Sequence, residues 1–272
     1  MKLITDPTSV RTNPSPPLDT PAIAAQVLPA QPPTPPGRAE AAPTPPTPKP
    51  FERFVVQENG IDALVMCGAN PRKAIISFSS MSPGKYERWS WFFDRHMSGS
   101  EDLYIVFKDE SHHYYLGDDQ KAMNLRHHRF ISGLLEKNGL GVKETYLLGS
   151  SMGGYAALYF GFWLDVGGII AINPQIDYAS TRRHSLQNWE RKIREVGSSW
   201  VDMHDFVYRY PSRPRLHLEH GEYPADVSAV NRLVASLDDL RLSYNRNFVA
   251  GDHSTNHLTR ERLFQMIDFW SS

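Results

Sequence analysis

The chain has 272 residues and a single cysteine, Cys67. An internal disulfide is therefore excluded, and with it the small scaffold stapled by cystine bridges. Cys67 follows the apolar run Ala63-Leu64-Val65-Met66 and reads as a buried small hydrophobe. An excess of charge is also missing: 29 Lys and Arg face 30 Asp and Glu. That balance gives no bulk attraction to nucleic acid or anionic membrane, and a neutral or small substrate is the expectation. Apolar runs of the ~18 residues that span a bilayer are absent. So is a secretory leader, because Met1-Lys2-Leu3-Ile4 gives way at once to polar residues and prolines. These absences predict a soluble, cytoplasmic protein with no membrane span; export by a leaderless route stays compatible with them. No Cys/His cluster has zinc-like spacing and no His-Glu-x-x-His occurs, so neither metal nor cofactor is expected.

Proline is scarce beyond residue 50, where six of the 21 lie; the other fifteen crowd residues 1–50. Proline fixes φ and lacks an amide donor, so this tract builds neither helix nor sheet interior. It is expected to be a disordered or polyproline-II tail. Pro33-Thr34-Pro35-Pro36 and Pro45-Pro46-Thr47-Pro48 match the PxxP spacing that docks protein partners, although such matches arise almost automatically in so proline-dense a segment.

From Phe51 to the C-terminus, strands and helices alternate. Strands are expected at Phe51–Gln57, Asp62–Cys67, Lys73–Ser79, Leu103–Phe107, Glu144–Gly149, Val166–Ile172, Arg215–His220 and Asn247–Ala250, the first two separated by the turn dipeptide Asn59-Gly60. Helices are expected at Tyr86–Met97, Gln120–Lys137, Gly153–Trp163, Val227–Leu240 and Thr259–Trp270. This rhythm predicts an α/β domain over 51–272 with a mostly parallel central sheet flanked by helices. Ile176–Pro214 breaks the rhythm with amphipathic segments around Leu186–Val196 and Val201–Tyr210. It reads as an insertion of lid or cap type. Its aromatics, Tyr178, Trp189, Trp200, Phe206, Tyr208 and Tyr210, either pack it onto the body or offer a surface to substrate.

The informative string is Gly149-Ser150-Ser151-Met152-Gly153-Gly154, a Gly-x-Ser-x-Gly between a predicted strand and a predicted helix. A chain that reverses this sharply strains the serine backbone and leaves no room for Cβ two positions either side. In return the Ser151 hydroxyl is exposed above a helix N-terminus, where the dipole and free amides favour negative charge. A phosphate-binding loop is disfavoured, because no Gly-Lys-[Ser/Thr] follows.

A serine needs a base, and the base an orienting carboxylate. His253 follows the last strand within Ala250-Gly251-Asp252-His253, and His257 is its competitor. Asp226 precedes the helical run at Val227, with Glu222 as the alternative acid and Asp177 a distant third; Asp226 could equally be a helix N-cap. His112 and His113 could border the cleft, whereas His127 and His128 read as a solvated helix face. For the oxyanion, the amide of Met152 is one expected donor, and that of Met81 or Ser80, in the loop after Lys73–Ser79, the other.

With these pieces in order, 51–272 resembles the α/β-hydrolase superfamily. The elbow Gly149–Gly154, the pair His220-Gly221 near the acid, and His253 before the last helix carry the resemblance. The strings from Gly149 to Gly161 and from Ala171 to Gln175 also look like hydrolase-like proteins of capsular or surface polysaccharide biosynthesis. The resemblance implies a carboxylic-ester hydrolase working through an acyl-enzyme, on a small-molecule or glycan ester. Two other readings stand beside it: an acyltransferase to a glycan or other hydroxyl acceptor, and a non-catalytic hydrolase-like binding module with the proline-rich tail as docking arm.

Overall fold

Asn59 and Gly60 both take positive φ, 53° and 81°, as the central residues of a tight hairpin turn do. They join β1 (Val55–Glu58) to β2 (Ile61–Met66) in the computed structural model, which describes residues 49–82, 84–255 and 257–272. The proline-rich tail, up to Pro48, lies outside the described residues. The chain continues through β3 (Ala74–Phe78), α1 (Trp89–Met97), β4 (Leu103–Lys108), β5 (Gly117–Asp118), β6 (Lys121–Ala122), α2 (Met123–Lys137), β7 (Thr145–Ser150), α3 (Met152–Leu164) and β8 (Gly168–Ile172). It closes with α4 (Tyr178–Arg183), α5 (Gln187–Val196), α6 (Met203–Arg209), β9 (Arg215–His220), α7 (Pro224–Asp239), β10 (Asn245–Phe248) and α8 (Arg260–Ser271).

Eight strands form one sheet in the order β1-β2-β4-β3-β7-β8-β9-β10, and β5 pairs with β6 in a separate two-stranded ribbon. β2 runs antiparallel to β1 and β4; every pairing from β4 to β10 is parallel. β3 and β8 are buried at every position, as strands covered on both faces must be. One face packs Leu147, Ile169 and Leu218 against α2, α3 and α7. The other packs Ile75, Tyr146 and Ile170 against α1 and α8 through Phe92, Leu263, Phe264 and Ile267. α3 is apolar and buried around nearly its whole circumference, which makes it the central helix. Among the described residues, no helix is long and apolar enough to cross a membrane.

Several boundaries differ from the sequence expectation. The first strand is shorter, because Glu52–Phe54 form a 3-10 turn. α7 starts at Pro224, whose fixed φ and missing amide suit a first helical turn. Asp226 therefore lies inside the first turn, and Tyr223 holds the N-cap position. His127 is buried, contrary to the solvated face expected: its Nδ1 lies 2.9 Å from the Met123 carbonyl oxygen, and its ring meets Phe107 and Tyr115 edge-on. Its neighbour His128 packs on Trp163, ring centroids 4.3 Å apart.

Candidate active site

Ser151 sits between β7 and α3 with φ 56° and ψ −121°, a conformation that costs an L-residue roughly 1–3 kcal/mol. The flanking glycines explain why the turn closes so tightly. A Cβ on Gly149 would stand 2.1 Å from the Gly153 carbonyl oxygen, and one on Gly153 would stand 2.2 Å from that of Phe78. The second contact also presses the loop after β3 against the N-terminus of α3. Ser151 is held by its own amide, which donates to Ile172 at 2.9 Å, and by its carbonyl, which accepts from Gln175 at 3.2 Å.

His253 lies in the loop between β10 and α8. Its Nε2 is 3.0 Å from Ser151 Oγ, and its Nδ1 is 2.8 and 3.0 Å from the two carboxylate oxygens of Asp226. A carboxylate on Nδ1 fixes the proton there and leaves the Nε2 lone pair for the serine hydroxyl. Gln175 Nε2 also approaches that nitrogen, but at 3.5 Å it is the weaker partner. Asp226 is 1% exposed. Burial pushes its carboxyl above the ordinary range, and the hydrogen bond and charge of His253 pull it partly back. Trp189 of α5 packs its ring 4.5 Å from the imidazole, and Tyr223 stands on the same residue at 5.8 Å.

Asn173, at the end of β8, ties this arrangement together. Its side-chain amide donates to the carbonyls of His253 and Thr255 at 2.9 and 2.7 Å, while its oxygen accepts from the Gly221 amide at 2.9 Å. Below it, Glu219 is wholly buried and receives the His257 amide and the Asn247 side chain, with Arg262 3.5 Å away. Burial alone would raise the Glu219 carboxyl; His217, 3.9 Å away, the hydrogen bonds from the Asn247 side chain and the His257 amide, and the Arg262 charge overcome that and hold it at about 2.

The two alternatives weighed from sequence are not brought to the serine. Glu222 is exposed, with its amide on the Gly251 carbonyl, and His257 is exposed, with its amide on Glu219. Asp177 is buried elsewhere: it caps α4 and pairs with Arg232 at 2.9 Å. Asp177, Asp202 and His204 converge closely enough to suggest a cation site, but the Arg232 guanidinium already stands there, 2.8 Å from His204 Nε2. His113 pairs with Glu195 instead of lining the cleft.

Ser80, Glu87, Arg88, Trp91, Asn173, Ser254 and Leu258 surround Ser151 and His253 in an open cleft of about 590 Å³. The amides of Ser80, Met81 and Met152 have no acceptor among the described residues. The Met81 side chain packs against the core, whereas Ser80 faces the cleft. In the inserted segment, Trp200, Phe206 and Tyr210 stack on Tyr155, Tyr159 and Trp163 of α3; Trp189 is the aromatic of that segment that reaches His253. A second cavity, of about 530 Å³, lies at the far side of β2. There Lys108 pairs with Asp62 and Glu110 at 3.1 and 2.9 Å.

Sequence reasoning missed Arg88, Asn173 and Gln175 as parts of this site, and named Trp189 only among the aromatics of the inserted segment. Asn173 and Gln175 lie in the Ala171–Gln175 string, directly after a strand that enters the carboxyl edge of the sheet, where ligands of such sheets bind. Arg88 left no local signal.

No protein-family model and no curated protein matches the sequence. Solved structures do. The capsule O-acetyltransferase of Neisseria meningitidis serogroup A superposes with a TM-score of 0.61 at 18% identity, over 79% of this chain and 94% of that one. The fluorophosphonate-binding serine hydrolase FphF of Staphylococcus aureus gives 0.61 at 12% identity, over 80% and 96%. The esterase PE8 gives 0.53 at 14%, over 77% and 97%. These likenesses show the fold of the described domain to be that of the α/β-hydrolases.

Proposed function

We propose that the protein is a serine hydrolase that cleaves carboxylic esters, with Ser151 as nucleophile, His253 as base and Asp226 as the carboxylate that orients it. The observation that carries this reading is the unbroken line of hydrogen bonds from Asp226 through His253 to Ser151, each 2.8–3.0 Å long. Ser151 Oγ attacks the ester carbonyl carbon as its proton passes to His253 Nε2. The charge that gathers on the carbonyl oxygen is met by the Met152 amide and by that of Ser80 or Met81. Collapse expels the alcohol, which takes the proton from His253. Water, deprotonated by the same imidazole, then attacks the acyl-enzyme and frees the acid. Residues 176–214 serve as a cap in this reading, and through Trp189 they wall one side of the base.

The likeness to a capsule O-acetyltransferase and the size of the cleft favour a second reading, in which a hydroxyl acceptor replaces water. A cleft of about 590 Å³ has room for a donor group and part of an acceptor. Product analysis in the presence of an alcohol separates the two.

Fluorophosphonate labelling tests the common premise. The wild-type protein should label, and Ser151→Ala and His253→Ala should not. A folded wild type that fails to react overturns the triad.

A further inference from the structure

Arg88 is the feature of the cleft that ester hydrolysis leaves unused. Its side chain is 8% exposed, yet it borders the cleft beside Ser151. A guanidinium presents five donors, and burying them without partners is costly. Here Nη2 donates to the Ser150 hydroxyl at 2.5 Å, and Nη1 makes no hydrogen bond among the described residues. The facing carboxylate is Glu87, but its nearer approach to Nη1 is 3.6 Å, outside hydrogen-bond distance. That contact is through Oε2; the other oxygen, Oε1, accepts from the Ser80 hydroxyl. Trp91 flanks the guanidinium, its ring centroid 5.8 Å from Cζ, and shields that side. Arg88 itself is the N-cap of α1 with φ 61°, so the backbone is strained to aim this side chain inward.

A buried guanidinium that is ion-paired at 3.6 Å but has one nitrogen without a hydrogen bond suits an anion that arrives with the substrate. We infer that the ester carries an anionic group, a carboxylate or a phosphate, which the Arg88 guanidinium binds while Ser151 attacks, Nη1 gaining the partner it lacks. Glu87 occupies the neighbourhood of that anion in the free protein and is repelled by it, so the two carboxyl-type groups compete for one guanidinium. This inference rests on Ser151 as the nucleophile, and its test has an arm that does not.

In the kinetic arm, para-nitrophenyl acetate, para-nitrophenyl hemisuccinate and a phosphonate-bearing ester of matching length are compared. Wild type should prefer one of the charged esters, and which of them it prefers separates carboxylate from phosphate. Arg88→Gln should erase the preference, a loss of roughly 10- to 100-fold in kcat/KM for the charged ester relative to the acetate ester. Glu87→Gln should move the preference the other way. In the binding arm, the intact hemisuccinate and phosphonate esters are titrated into Ser151→Ala, where no turnover occurs. Binding of either should weaken by the same factor when Arg88→Gln is added and tighten with Glu87→Gln. If the charged esters bind and react no better than the acetate ester, or if Arg88→Gln and Glu87→Gln change all esters alike, the inference is overturned. Binding to Ser151→Ala that depends on Arg88, in a wild type that hydrolyses nothing, would keep the anion site and remove the esterase.

Discussion

Asp226 shows how much one side chain asks of its surroundings. Its carboxylate is buried, so its only strong compensation is the imidazole it orients, and burial leaves it a weaker acid than usual. Replacing it with asparagine keeps the shape but offers Nδ1 an acceptor and a donor in place of two acceptors, which permits the wrong tautomer. Asp226→Asn should therefore melt within a few degrees of wild type while kcat falls on the order of 10⁴-fold. A mild kcat loss would point to another orienting acid. The pairing of this residue with His253 was legible because an acid after one strand and a histidine after the next follow the order that the elbow demands. Its place within the helix was not: propensity rules put the helix start at Val227, and Pro224 moves it a turn earlier. Arg88 could not be read at all, since what gives it meaning is Ser150, 62 residues away.

At the scale of elements, the sequence showed most helices and strands and misjudged those held by distant partners. α4 went unseen because Tyr-Ala-Ser-Thr-Arg-Arg carries no apolar stripe; its support is the cap and ion pair of Asp177. α5 was visible as an amphipathic helix, but its relation to the base was not. Trp189 brings that helix against His253, ring centroids 4.5 Å apart, and a ring so near would stabilise the cation that the proposed base becomes on taking the serine proton. Trp189→Ala should lower kcat roughly fivefold, the equivalent of about 1 kcal/mol. An unchanged kcat would reduce Trp189 to packing.

For the whole molecule, alternating strands and helices announced a mostly parallel sheet, and eight strands in one sheet with antiparallel β1 and β2 at one side is what forms. The strand order and the ties between loops depend on contacts across the chain, which local periodicity does not encode. One such tie has a bearing on stability. Glu219 joins β9 to β10, to the loop before α8 and to α8 itself. Its carboxyl is held at about 2 in the fold against an ordinary 4.5. A depressed carboxyl stabilises the fold fully above its unfolded pKa, and the contribution drains away as pH falls from about 4.5 towards 2. The shift corresponds to on the order of 3 kcal/mol. Glu219→Gln should be less stable at neutral pH and should lose less than wild type across that acid range, as read from urea midpoints. Parallel acid profiles would remove Glu219 from the acid response.

Asn173 gives the site a different quality. One small amide side chain fastens the loop that carries the histidine to the turn that leads to the acid. The serine is fastened to the same strand end through its amide on Ile172. The proposed nucleophile, base and acid are thus tied to one strand end. If these residues act as proposed, substrate binding has no catalytic geometry left to assemble, contacts made far from the ester go wholly towards selecting which ester is taken, and a minimal ester meets the same machinery as a large one.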